Sequence, residues 1–200
     1  MDREEAYRDA EDYILLGVNN IKTTKRALYY AHKTGYDGKP VVDENMEISQ
    51  ENTIYRGLIE NSKSDFAAIQ FFNDLAFGDL RYNTNQSIHG GKALYYSSSF
   101  DNAAKHANPF FDTDIKAPER SGIVLFARLN QSVYKTLDDI RSMIDNAQNY
   151  GLISARLAAY YKTIGMQEFA ALNGIDFVIN GMTYAVYNRT KLIVGGYERV

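Results

Sequence analysis

The chain predicts an α+β domain: a largely antiparallel sheet flanked by helices, with a helical arm at the N-terminus. Three observations predict it. Helical periodicity fills residues 3–34 before any strand signal appears. Strands separated by helices occupy the middle of the chain. Three short strands then follow one another at the end, joined by links too short for parallel crossovers, which need a dozen or more residues.

Each element has its own signal. Ala6, Ala10, Tyr13, Gly17, Ile21, Thr24, Leu28 and Ala31 recur every three to four residues and give the first helix one small-to-apolar stripe. Its early acids and late Lys22, Lys25, Arg26 and Lys33 suit the helix dipole, and Gly35 is its stop. Residues 35–50 read as a loop, and 53–58 as a short strand in which Ile54 and Gly57 are set among Tyr55 and Arg56. Ser64 caps a helix over 65–77, which Gly78 ends. A polar, Gly-rich loop over 79–91 leads to a strand at 93–97. Ser99 caps a helix reaching Ala107, with Asp101 in its first turn and Pro109 beyond it. A loop over 110–121 precedes the strand 122–129, the strongest in the chain. Helices are expected over 137–149 and 153–172, the second weakened at Gly165. Strands at 175–179, 184–187 and 191–194 close the chain, with Gly181 in the first turn. The division expected is an arm and loop at 1–49 and one folded domain at 50–200.

Composition narrows the function. The chain has 200 residues, 45% hydrophobic and 24% charged, which suits a globular domain with a substantial core. No apolar run approaches the ~18 residues of a membrane span, and the acidic residues 1–12 do not read as a secretory signal. No cysteine is present, which excludes disulfides, thiolate metal sites and cysteine nucleophiles. His32, His89 and His106 are the only histidines, and their spacing matches no metal motif. A net charge of −3 argues against a broad face for duplex nucleic acid. The 16 tyrosines, with no tryptophan, suit either a Tyr-rich core or stacking on planar ligands. There is no GxGxxG after a strand and no GxxxxGK[ST].

Three segments carry chemistry. In Ile54–Tyr55–Arg56–Gly57 a guanidinium sits beside bare backbone, a pairing that suits a phosphate or ribose as well as an ordinary surface strand. The second runs from Gly90 to Phe100. Alternation puts Tyr95 and Ser97 on one face and Tyr96 and Ser98 on the other, and a Tyr-rich strand with a serine cap would look the same. The third, residues 175–190, is a hairpin with an Asn180–Gly181 turn.

In this order and spacing the three segments resemble the ADP-ribosyltransferase fold, over about residues 50–194. The stretch GKALYYSSSFDNAAKHA aligns without gaps to GxGIYFAxxxxxSAxYC of the poly-ADP-ribose polymerase branch. The resemblance makes Tyr95 that branch's triad tyrosine and His106 the second aromatic around nicotinamide. Ala103 stands where that branch has a serine. The strand YAVYNRTKLIV is similar to that branch's EYIVY strand and to the VLNRT-like ending of phage head-associated ADP-ribosyltransferase domains. Arg56–Gly57, in place of His-Gly, resembles the Arg-Ser-Glu branch, as does Ser97–Ser98–Ser99 beside its Ser-Thr-Ser. The chain is thus a hybrid of the two branches. The polymerase branch's catalytic glutamate falls on Thr183, and no Glu-x-Glu occurs. Threonine does not ionise near pH 7, so Asp176 and Glu168 are the nearest candidate acids.

What the resemblance implies follows from the chemistry. Departure of nicotinamide from NAD leaves a cationic sugar, so the protein must hold the pyrophosphate, stack the nicotinamide and place a nucleophile opposite. The implied fold is a split antiparallel β-sandwich. The implied catalytic set is Arg56, Tyr95, Ser97, Asp176, Glu168 and Thr183. The implied NAD-binding set is Arg56, Gly57, Tyr95, Ser97, Ser98 and His106. NAD is the co-substrate, and no metal is expected. A missing glutamate favours single transfer or hydrolysis over chain elongation. The implied partner is a macromolecular acceptor, first a bacterial protein, with arginine, another side chain or nucleic acid left open. No membrane partner is expected. The implied location is the host bacterial cytoplasm, with association with the virion or delivery as the other options. The alternatives are a degenerate, non-catalytic member with a virion-associated or partner-binding role and an NAD-hydrolysing toxin.

Overall fold

The computed structural model describes residues 40–49, 51–59, 86–87, 91–108, 111, 122–163 and 165–200. The helices expected over 3–34 and 65–77 lie outside these residues. The described fold is α+β, built on a mixed eight-stranded sheet. Its strands are β1 (Val41–Val42), β2 (Ile54–Ile59), β5 (Leu94–Ser97), β6 (Gly122–Leu129), β7 (Tyr134–Thr136), β8 (Phe177–Asn180), β9 (Thr183–Val186) and β10 (Leu192–Arg199). Strands β3 (Gln86–Ser87) and β4 (Gly91–Lys92) form a separate two-stranded ladder. The order across the main sheet is β1-β10-β6-β2-β5-β9-β8-β7. All inner pairings are antiparallel, and only the two edge pairings, β1 with β10 and β7 with β8, are parallel.

The four described helices are α1 (Phe100–Ala107), α2 (Leu137–Asn149), α3 (Ala155–Tyr161) and α4 (Met166–Leu172). Ser99, Thr136 and Ser154 cap the first three with side-chain oxygens that accept from Asn102 N, Asp139 N and Leu157 N. The helix expected over 153–172 is two helices. Its break falls at Gly165, whose backbone lies under the Tyr160 ring with no room for a side chain. The Tyr160 carbonyl also accepts from Gly165 N there.

Strand alternation divides the core in two. On the helical face, Tyr55, Val124 and Phe126 pack against Ala103, Ala104 and Ala107 of α1. On the same face, Val178 and Ala185 pack under Ile140, Ile144, Leu157, Tyr161, Met166 and Phe169 of α2, α3 and α4. The opposite face buries Ile54, Leu94, Tyr96, Ala127, Phe177, Val186, Leu192 and Val194, drawn from six strands. Burying each such side chain is worth roughly 1.5–3 kcal/mol, so both faces of the central strands contribute to folding.

The edges depart most from the expected pattern. Residues 41–42, assigned to the arm and its loop, pair with Ile193 and Val194. Met46 then packs against Gly195. Val41 and Val42 therefore form an edge strand of the sheet. Strand β7, over which the sequence predicts no element, is only three residues long and too short to alternate visibly. Strand β10 continues past Val194 to Arg199, because Gly195 and Gly196 form a bulge in its pairing with β6 where two glycines suggest a stop.

Candidate functional site

The three segments singled out by sequence become hydrogen-bonded neighbours. Strand β2 pairs with β5, and β5 pairs with β9, with Tyr55 opposite Ser97 and Ser97 opposite Thr183. Register then decides which side chains meet. Arg56 lies on the face opposite the helices, its guanidinium carbon 5.9 Å from the Tyr96 ring centroid. Tyr96 in turn pairs with Tyr184 of β9. Arg56 is only 6% exposed. Burial lowers its pKa from the ordinary arginine value, because a desolvated cation is disfavoured. Burial raises the Tyr96 phenol, and the nearby Arg56 charge acts in the other direction. A cation and a ring are thus held together in a low-dielectric setting.

Tyr95, Ser97 and Thr183 lie on the helical face. Tyr95 packs half-buried against the core under α2, α3 and α4. It lies near Tyr187, whose phenol is pushed up mainly by burial and then by Tyr95. Arg56 therefore shares its face with Tyr96, not with Tyr95. The serines divide their tasks at the strand-to-helix turn. Ser97 Oγ accepts from Ser99 N at 3.1 Å, and Ser99 Oγ accepts from Asn102 N at 3.3 Å. Ser98 is exposed and donates its N–H to Met182 O at 2.9 Å. His106 is exposed in the last turn of α1, while Ala103 is buried under it. Gly57 accommodates α1, because a Cβ there would overlap the Ala103 carbonyl. Gly122 does the same beneath Ala107. Two glycines against three alanines let helix and sheet backbones touch, which explains Gly57 without a ligand.

The candidate acids stand apart. Asp176 precedes β8, is 5% exposed, and accepts from Val133 N at 2.7 Å and Asn188 Nδ2 at 2.6 Å. Asn188 Oδ1 accepts from Thr190 N and Thr190 Oγ1. The Asn188–Arg189–Thr190 stretch is thereby built into a buried polar network joined to the 131–133 loop. Glu168 sits on α4, 7% exposed, and its Oε1 accepts from the Tyr160 hydroxyl at 2.6 Å. It belongs to the helical core with Tyr161, whose phenol is raised by burial and by the Glu168 charge. Thr183 is exposed at the start of β9, beside the hairpin turn. Gly181 carries φ +57 in that turn and Met182 does not, the pattern of a type II′ turn.

A cleft of about 550 Å³ opens on the same side as Tyr184, where β2 begins and β5 and β6 end. Glu51, Asn52, Thr53, Ser98, Arg128, Asn130 and Tyr184 line it, over Ile54, Leu129 and Ile193. Of these, sequence singled out Ser98 as a binding residue. Tyr96 and Tyr184 were legible only as strand residues, since their meeting with Arg56 depends on pairing register. Among the described residues no three His, Asp or Glu side chains group as metal ligands, and no helix is long and apolar enough to cross a membrane. No family model, curated protein or solved structure matches the chain.

Proposed function

We propose that the protein is an NAD-dependent mono-ADP-ribosyltransferase that moves ADP-ribose to a macromolecular acceptor and releases nicotinamide. The observation that carries this reading is the convergence of its three signature segments, far apart in sequence, on adjacent strands β2, β5 and β9. Arg56 beside Tyr96 supplies what the chemistry asks of one face, a bidentate cation for the pyrophosphate next to an aromatic ring. Tyr95, Ser97 and Gly57 lie on the other face and serve the helix–sheet packing in this account. Thr183, in the glutamate position, offers no ionised group to activate an acceptor, which favours one transfer or hydrolysis over chain growth.

A second reading, a non-catalytic protein with this fold, draws on a separate observation: both candidate acids are committed to structural hydrogen bonds. Calorimetric titration of NAD tests the first reading. Arg56→Lys keeps the charge but loses the guanidinium fork. We expect it to weaken NAD at least tenfold. Unchanged affinity in a folded Arg56→Lys protein would contradict the assignment.

A further inference from the structure

The cleft beside Tyr184 carries a set of groups that the NAD reading does not use. Tyr184 stacks on Phe177, with ring centroids 5.9 Å apart and 28° between planes. Phe177 stacks on Tyr134 at 5.3 Å and 19°. An aromatic column across β9, β8 and β7 therefore fixes the Tyr184 ring at the cleft wall. Arg128, which also lines the cleft, has Nη2 3.9 Å from Asp43 Oδ2, and both side chains are well exposed. That distance is the outer limit of an ion pair, so donors of the guanidinium fork remain available to an anion. Glu51 adds a carboxylate acceptor, and Asn52 and Asn130 add amides that both donate and accept. Ile54, Leu129 and Ile193 give the cleft an apolar floor.

These groups complement one chemistry. A planar base stacks on a fixed ring, amides read a base edge, a carboxylate accepts from ribose hydroxyls, and a guanidinium holds a phosphate. A peptide offers no diol for the carboxylate. We infer that the cleft binds a nucleoside phosphate, either a free ribonucleotide or the end of a single RNA strand.

The test titrates the full chain with AMP, 2′-deoxy-AMP, adenosine and a 5′-phosphorylated eight-nucleotide RNA. Tyr184→Ala should weaken AMP by about tenfold or more, since base–aromatic stacking carries much of such binding. Tyr184→Phe should preserve affinity, which separates stacking from folding. Arg128→Ala should weaken AMP and leave adenosine unchanged. Glu51→Gln should reduce the preference for AMP over 2′-deoxy-AMP. RNA binding tighter than AMP assigns the strand end, and equal binding assigns the free nucleotide. Absence of binding by all four probes, or unchanged AMP affinity in folded Tyr184→Ala, overturns the inference.

Discussion

Asp176 holds the loop at Val133 and the Asn188 side chain with its two carboxylate oxygens. An amide in its place must turn its NH₂ toward one of two donors. Asn188 cannot flip to relieve this without losing its bonds from Thr190. Asp176→Asn is therefore expected to cost about 1–3 kcal/mol of stability, measured by urea denaturation. A catalytic acid would instead lose turnover at unchanged stability, and that result would return Asp176 to the mechanism. Tyr95 makes the complementary case. It lies across the sheet from Arg56, so Tyr95→Leu, which removes the stacking ring, should leave NAD affinity within about twofold. A loss equivalent to the roughly 1–3 kcal/mol of a base–aromatic stack would put the nicotinamide on the helical face after all. These roles were hidden in the sequence because alternation gives faces within one strand, not the register between strands. Nothing in the residues at 54–57 says whether Arg56 meets Tyr95 or Tyr96.

Helix α1 illustrates what an element's own sequence does and does not disclose. Its start was readable, because Ser99 caps it and Asp101 sits in the first turn. Its seat was not, because the two glycines it rests on lie on other strands. Gly57→Ala places a methyl group inside the space of the Ala103 carbonyl and is expected to cost about 1–3 kcal/mol as overpacking. A thermal midpoint equal to that of the parent protein would show that α1 does not rest there. Helix α2 offers a pH test. Thr136 and Asp139 form a reciprocal capping box. The Thr136 hydroxyl and N–H hold the Asp139 carboxyl below its ordinary 3.8. A lowered pKa means that the carboxylate stabilises the cap above 3.8 and that the gain is lost as pH falls through the lower folded value. Asp139→Asn should therefore flatten the acid side of the stability profile and lower its neutral and alkaline side by a constant amount. An unaltered acid limb would discount the cap. The short edge strands β1 and β7 lack the length for any periodic signal, which is why the sequence reads β1 as loop and assigns no element at β7.

Across the whole molecule, the α+β class was legible because it rests on element order and connection length, both carried in the chain itself. The parallel edges were not, since β7 and β8 pair across three intervening helices. Strands β2, β5 and β9 bring the three chemistry-bearing segments side by side, and the function proposed from them is that of an NAD-using transferase. One experiment addresses that proposal as a whole. The full-length protein is incubated with NAD labelled in its adenylate half and a bacterial lysate, and both free nicotinamide and macromolecule-bound label are counted. The account predicts bound label that rises with released nicotinamide and that falls sharply in Arg56→Lys. Intact NAD with no bound label, from a protein that still binds NAD, would contradict it and leave the sheet a binding scaffold.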